Sequence, residues 1–427
     1  MISRFLYDLY KLERHLRLST AELEKLQLKQ LKATLKHAYD NVHFYHQKLK
    51  EANVKPDDVK TTDDMRKIPT TTKIELQSTS RRDLVALGFD SSMLVERMTS
   101  GSTGMPLTSL ADGKTVDYEL ALWSRAFLAN GVKPWYKIGV VTDPKNFPTP
   151  GKLSQRLDLS RRSYVSIFDS PEIQQKLLEK SNPDVIKGYS SSLTLLADYC
   201  QHNACKVKPR FVFTGAELLD KVSRETINSA FPGEILDNYA CIEFGLLAWE
   251  CLEHTGYHVN VDSVMMEVLD EEEPVPTGER GDIICTSLVN RAMPLIRYRI
   301  GDVGVISKEQ CPCGRALPMM KVLEGREGDF LMTTEGRAVS PVIFFPYPFE
   351  NPEMIKQFRI VQEKRDLIVI QLVLRESLEH YSSLCEKATA EIRRVFGESM
   401  QVEFQVLKEL RMDGSTKLRK IMSKVPR

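Results

Sequence analysis

Thr99-Ser-Gly-Ser-Thr-Gly-Met-Pro106 follows the strand-like Met93-Leu-Val-Glu-Arg-Met98 and is the most informative stretch of the 427-residue chain. Two glycines and four hydroxyl residues in eight positions let a backbone approach an anion closely and offer it N–H and O–H donors. The stretch therefore reads as a phosphate cradle. It is not a Walker loop, because GxxxxGK[ST] needs a lysine that is absent here. Standing alone, such a Ser/Gly/Thr loop reads equally as a linker, so its meaning depends on the sequence around it.

From about residue 90 to 320 the chain alternates β-branched runs (KIGVVT, DVIKGYS, RFVFTG, GEILDNYA, GDIICTSL) with helix-like SPEIQQKLLEKS and DKVSRETINSAF. This is the rhythm of a layered α/β domain. After Gly325 it changes to two strands (QFRIVQEKRDLIVIQLVL), a helix (SLEHYSSLCEKATAEIRRVF) and a strand (QVEFQVLKEL), a small α+β unit. Upstream, Leu26, Leu28, Leu31, Leu35, Ala38, Val42 and Tyr45 recur at helical spacing and predict an N-terminal helical arm. The expected division is an arm over 1–60, a large domain over 61–325 and a small α+β domain over 326–427. The acidic stretch 270–274, DEEEP, reads as a turn.

Composition narrows the function classes. Lys plus Arg number 59 against 58 Asp plus Glu, so no global field favours nucleic acid or an anionic membrane. Apolar residues at 42% and charged residues at 27% are ordinary for globular chains and argue against disorder. The N-terminal MISRFLYDLYKLERHLRL interleaves charges from Arg4 onward, unlike a signal peptide, and no apolar run approaches the length of a membrane span. Eight cysteines in so long a chain fit a reduced, cytoplasmic protein with room for a metal site better than a disulfide framework. His37, His43 and His46 have no carboxylate or cysteine completing a ligand set and read as helix-surface residues.

TSGSTGMP resembles the signature loop of the adenylate-forming superfamily, and further motifs of that family follow in its order. Phe213–Leu218 (FTGAEL) resembles the GAE loop, and Asp237–Glu243 (DNYACIE) resembles Y-G-x-[ST]-E. Arg297–Asp302 (RYRIGD) resembles Y-R-T-G-D, Gly325–Asp329 (GREGD) resembles GRxDD, and Gly414–Lys420 (GSTKLRK) resembles the C-terminal lysine loop. The short length, the N-terminal arm, the CxCGR insert and the ending LRKIMSKV resemble the phenylacetate-CoA ligase-like and CapK-like branch.

The resemblance implies an α/β fold: a large layered N-terminal adenylation domain with a small mobile α+β C-terminal domain. It implies ATP with Mg²⁺, an acyl-AMP intermediate, and coenzyme A as the acceptor, with the C-terminal domain rotating near Gly328 between half-reactions. Thr99, Ser100, Gly101, Ser102, Thr103 and Gly104 would hold the β- and γ-phosphates. Gly215, Ala216 and Glu217 would lie beside adenine, with Asn238 and with Tyr239 stacked on the base. Glu243 would bind Mg²⁺, Asp302 the ribose hydroxyls, and Arg326 the ribose or phosphate. Lys417 would be the catalytic cation, preferred over Lys420 and Lys424 by the residues that follow it.

Several positions depart from the family pattern. Ala240 replaces the glycine and Ile242 the hydroxyl residue before glutamate, so one hydroxyl contact to nucleotide is lost; Gly328 stands where the hinge usually carries Asp or Lys. The aromatic stretch that precedes the acid pocket in phenylacetate ligases is not recognisable in 135–160, so an aryl acetate does not transfer as substrate. Tyr189, Phe244 and Trp249 are candidate pocket residues.

Cys251, His258, Cys311 and Cys313 supply a Cys3His set suited to a closed structural Zn²⁺ site, with His254 competing for the fourth position. Burial as small hydrophobes is the competing reading for these cysteines. Cys200, Cys205, Cys241, Cys285 and Cys385 read as packing residues, although Cys241, inside the nucleotide motif, is placed to touch substrate. Small-molecule substrates, no nucleic acid, no membrane span and a monomer or homodimer complete the expectation. The alternatives are adenylyl or acyl transfer to a non-CoA acceptor in cofactor or cell-surface polysaccharide biosynthesis, or a non-catalytic nucleotide-binding protein. Retention of Glu243, Asp302 and Lys417 together argues against the last.

Overall fold

The structure, a computed structural model, describes residues 2–98, 107–147, 161–324, 331–335, 338–339, 354–375, 381–410 and 421–425. The helices are α1 (Ile2–His15), α2 (Thr20–Asn41), α3 (His43–Glu51), α4 (Lys73–Ser78), α5 (Arg81–Leu84), α6 (Gly113–Ala129), α7 (Pro171–Ser181), α8 (Ser190–His202), α9 (Lys221–Ala230) and α10 (Tyr381–Phe396). The strands up to the chain's midpoint are β1 (Val95–Met98), β2 (Thr108–Ala111), β3 (Ile138–Thr142), β4 (Arg162–Ser166), β5 (Val185–Gly188) and β6 (Phe211–Gly215). Then come β7 (Glu234–Cys241), β8 (Gly245–Glu250), β9 (Tyr257–Val259), β10 (Val264–Asp270), β11 (Glu273–Pro274), β12 (Arg280–Ser287), β13 (Tyr298–Ile306) and β14 (Met319–Glu324). The last are β15 (Leu331–Met332), β16 (Ala338–Val339), β17 (Ile355–Lys364), β18 (Leu367–Leu374), β19 (Gln401–Val406) and β20 (Ile421–Ser423).

Two compact units are each built from two separate stretches: 1–132 with 238–326, and 133–237 with 327–427. In the first unit, β11-β10-β12-β13-β14-β9-β8-β7 form successive antiparallel pairs. The acidic stretch 270–274 makes the hairpin of β10 and β11, turning at Glu271 and Glu272, with Glu271 at φ 53°.

The predicted arm is helical because its local chemistry and its packing agree. Ser19 starts α2 with a capping box: its N–H and hydroxyl donate to Glu22 Oε2 at 2.9 and 2.7 Å, relieving a helix end of unpaired groups. Leu31, Leu35, Ala38, Val42, Tyr45 and Leu49 then share a core with Met265, Leu288 and Ile296, so the arm packs on its own chain. Leu12 of α1 joins Tyr118, Ala121 and Leu122 of α6. Beside them, Asp262 accepts from Arg125 Nη1 at 2.5 Å and lies 2.8 Å from His15 Nδ1, while Arg125 Nη2 donates to Asn260 Oδ1 at 2.5 Å. Burial alone would raise the Asp262 carboxyl, but the Arg125 charge and the two hydrogen-bonding partners outweigh it and hold it at about 2.

In the second unit β4-β3-β5-β6 are all parallel. Strand alternation sends Val141, Val165, Ile186 and Val212 to one face, where Leu178 of α7 and Leu193, Leu196 and Ala197 of α8 cover them. The stretch after Gly325 forms a four-stranded sheet, β19-β18-β17-β20, backed by α10. Leu384, Ala388, Ile392 and Phe396 of α10 recur every four residues and are buried against Phe358, Ile360, Ile370 and Leu372. Each large apolar side chain buried this way contributes on the order of 1.5–3 kcal/mol. Among the described residues no helix is long and apolar enough to cross a membrane.

Candidate active site

Strands β7 and β13 bring the central motif residues of the first unit together. Tyr239, on β7, donates its hydroxyl to Asp302 Oδ2 on β13 at 2.6 Å. In return Tyr298, the first residue of β13, donates to Glu243 Oε1 in the turn after β7 at 3.3 Å. Each strand thus supplies one phenol and the partner segment one carboxylate. Burial and the charge of Asp302 push the Tyr239 phenol well above its ordinary range, and burial and Glu243 do the same for Tyr298. Both tyrosines therefore remain donors at neutral pH and orient the two carboxylates.

The start of β13 is fixed from several sides. Arg297 is buried at φ 46°, donates through Nε to Glu267 Oε2 at 3.2 Å and also bonds the Ile68 carbonyl. Tyr45 of the arm accepts from the Ile296 N–H at 2.9 Å, and the Thr71 hydroxyl donates to the Ile296 carbonyl at 2.8 Å. A left-handed arginine is held there by Glu267 of β10 and by the Ile68 carbonyl rather than by local preference.

Cys241 and Cys285 lie among these carboxylates. Burial, then Glu243 for Cys241 and Asp302 for Cys285, pushes both thiols up, so neither is a thiolate at neutral pH. Of the aromatic candidates for an acid pocket, Phe244 packs beside Tyr298 with ring centroids 6.2 Å apart. Trp249 is a correction: it is fully buried and its indole N–H donates to Asn260 Oδ1 at 3.1 Å, which makes it a core residue. Asn238 is buried on β7, opposite Trp249.

The GAE-like loop lies in the second unit. Gly215 ends β6, Ala216 follows at φ 65°, and Thr214 donates to Asp237 Oδ1 at 2.5 Å. The Glu217 carboxylate is turned onto the start of α8, accepting from the Ser191 N–H at 2.8 Å and from its hydroxyl at 3.1 Å. A carboxylate there complements the helix dipole. Thr99, Ser100, Gly101, Ser102, Thr103, Gly104, Arg326 and Lys417 lie outside the described residues.

Cys251, His258, Cys311 and Cys313 converge, with their ligand atoms all within 4.8 Å of one another. Cys251 Sγ is 3.5 Å from Cys311 Sγ, and Cys313 Sγ is 3.3 Å from His258 Nε2. His254 instead pairs with Glu250 Oε1 at 3.3 Å, leaving His258 as the histidine of the cluster. Burial and the Arg315 charge push the His258 imidazole down to about 4, so it is neutral at physiological pH, the form a metal requires. Three thiols and a neutral imidazole at this separation fit a tetrahedral zinc ion.

Three features had no clear signal in the sequence. Cys200 and Cys205 were expected to be scattered packing residues, but the thiols hydrogen-bond each other; this bond pulls Cys205 down to about 7 and pushes Cys200 up. Their five-residue separation across a helix end was the available hint. Asp198 of α8 holds Lys356 Nζ of β17 at 2.5 Å and lies 3.8 Å from Arg375 Nη1, whose Nη2 donates to Thr226 Oγ1 at 2.8 Å. Arg97 of β1 meets Glu119 of α6.

The chain is similar to known proteins in sequence and in fold. Residues 331–424 match the CapK C-terminal domain family. Phenylacetate-coenzyme A ligase of Escherichia coli (strain K12) is 28% identical over 410 residues, covering 90% of this chain and 91% of the relative. Protein CapK of Staphylococcus aureus is 22% identical over 403 residues, covering 91% and 86%. Among solved structures, 2-hydroxyisobutyryl-CoA ligase in the postadenylation state with 2-HIB-AMP superposes with a TM-score of 0.79 at 19% identity, covering 95% of this chain and 90% of that one. The fold is that of the adenylate-forming CoA ligases, a large N-terminal domain followed by a smaller C-terminal one. Within that class the chain is similar in sequence to the phenylacetate-coenzyme A ligases and to CapK.

Proposed function

We propose that this protein is an AMP-forming acid–thiol ligase, which activates a carboxylic acid with ATP as an acyl-adenylate and passes the acyl group to coenzyme A. The observation that carries this reading is the reciprocal pair Tyr239–Asp302 and Tyr298–Glu243, in which a phenol orients the carboxylate of each of the motifs read as the ribose and metal sites. The full-length similarity to the phenylacetate-coenzyme A ligases supports it.

In this reading Asp302 accepts the ribose hydroxyls while Tyr239 holds the carboxylate in place and presents its ring to adenine. Glu243, positioned by Tyr298, is the protein ligand for Mg²⁺, which when bound neutralises charge on the triphosphate. Residues 99–104 hold the leaving pyrophosphate, Gly215–Glu217 flank the base, Arg326 meets ribose or phosphate, and Lys417 stabilises charge built up between the acid and the α-phosphate. The catalytic boundary falls near residue 325, with the C-terminal domain serving both half-reactions in a cytoplasmic enzyme. The Cys3His cluster would hold a zinc ion with four protein ligands, a structural role rather than a catalytic one.

The test is carboxylate-dependent exchange of labelled pyrophosphate into ATP across a panel of acids, for wild type and Lys417→Ala. Exchange with one acid class, reduced at least about a hundredfold in the variant, is the expected result. An ATP-binding wild type that exchanges with no acid would overturn the reading. The second reading is delivery of the adenylyl or acyl group to a non-CoA acceptor. Exchange without any thiol-dependent release of AMP would select it.

A further inference from the structure

Glu119 sits on α6, outside every motif, and is buried with only 9% of its surface exposed. Its Oε2 lies 2.6 Å from Arg97 Nη1. Arg97 is the penultimate residue of β1, whose last residues pair with the first of β2 (Arg97 with Ser109, Met98 with Thr108). The hairpin formed by these strands is the stem of the TSGSTGMP segment. On its other side Glu119 meets Gly245, the first residue of β8 and two residues beyond Glu243. A Cβ on Gly245 would lie 3.1 Å from Glu119 Cγ and 3.2 Å from Cδ, and Gly245 has φ 71°, a conformation that suits glycine.

A partly buried ion pair of this kind is weak evidence for stability, because the attraction is offset by desolvation of both charges. Its geometric effect is more definite. The bond to Arg97 fixes the strand leading into the phosphate-loop motif, and the close approach to Gly245 fixes the turn that carries Glu243. Both segments are thereby referred to one side chain on a rigid helix.

We infer that Glu119 is a positioning residue for nucleotide binding: with Arg97 and Gly245 it sets the spacing between the stem of the 99–106 segment and the Glu243 turn. The inference rests on the proposed reading of these two segments as the phosphate and Mg²⁺ sites. Glu119 touches no substrate, and its effect passes through Arg97 and Gly245.

The experiment compares wild type with Glu119→Gln, Arg97→Ala, the charge-exchanged pair Arg97→Glu/Glu119→Arg, and Gly245→Ala. MgATP binding is measured by calorimetry and KM and kcat by pyrophosphate exchange, with thermal unfolding as a check on folding. Glu119→Gln and Arg97→Ala are expected to weaken MgATP binding and raise its KM by roughly ten- to a hundredfold. The KM for the acid and the unfolding temperature should stay near wild type, and the exchanged pair should recover part of the loss. Gly245→Ala should raise KM for MgATP in the same way.

A folded Glu119→Gln with unchanged MgATP affinity would overturn the inference. So would losses that follow unfolding temperature across all four variants, or that reach the acid and the nucleotide alike. Calorimetry needs no acid, so wild type that binds MgATP but exchanges with none of the acids removes the proposed reaction and leaves the Glu119 test standing. Wild type that binds no MgATP removes both.

Discussion

Lys187 illustrates how one residue's surroundings decide its charge. It lies on β5 in a row with Tyr164, Val140 and Phe213, on the sheet face opposite the one covered by α7 and α8. Removal from water, then the charge of Arg162, pushes its pKa down to about 7. The unfolded chain, with an ordinary lysine near 10.4, binds more protons than the folded one between about pH 7 and 10.4. Stability from this group therefore rises as pH climbs through that window and is lost as pH falls towards 7. Lys187→Met should be more stable than wild type at pH 7 by a few kcal/mol, with the gap narrowing to about 1 kcal/mol by pH 9.5. Urea unfolding at the two pH values checks this; parallel behaviour of both proteins would refute it. At this scale Asp302, Glu243 and Tyr239 were legible in the sequence because each sits in a short motif. The pairing of Tyr298 with Glu243 was not, since its members are 55 positions apart and only the β7–β13 arrangement joins them. Trp249 was misread because an aromatic beside a motif does not reveal which side of its strand faces the core.

At the scale of elements, the cysteine–histidine cluster ties the end of β8, the strand β9 and the turn before β14. Cys251 follows β8 directly, His258 lies within β9, and Met319 of β14 pairs with His258. The three segments gain a common anchor when a metal is bound. The purified protein should carry about one zinc per chain by elemental analysis. Stripping it with a strong chelator, or replacing Cys313 with Ser, should lower the unfolding temperature by roughly 5–15 °C. Metal-free protein that gains no stability on adding zinc would show that these thiols only pack. The periodicity of α2 and α10 was legible because both helices bury one continuous stripe. The order of the parallel strands was not, since runs such as KIGVVT and RFVFTG are apolar on both faces and carry no information about neighbours.

On the scale of the whole molecule, the two-strand, helix and strand pattern after Gly325 is seated on α8 and α9 through Asp198. The carboxylate is largely buried and meets both Lys356 and Arg375, so a pair of this kind contributes on the order of 1 kcal/mol, about a fivefold bias in a two-position equilibrium. If the C-terminal domain serves two half-reactions, the contact favours one of its positions. Asp198→Asn should then move pyrophosphate exchange and thioester formation in opposite directions, changing their ratio about threefold or more. Equal changes in both rates would refute this. No sequence pattern announced the contact, because its acid and its two bases come from segments more than 150 residues apart.

The buried cluster around Asp262 also has a consequence for synthesis. His15, in the first helix, finds its partner 247 residues later. At about 5–20 residues per second, α1 emerges on the order of ten to fifty seconds before Asp262 exists. During that interval Leu12, which is fully buried in the finished protein, and its neighbours Phe5 and Leu9 have no complete surface to cover them. The covering of α1 is thus completed in stages, by α6 first and by the Asp262 segment only after well over a hundred further residues have been added.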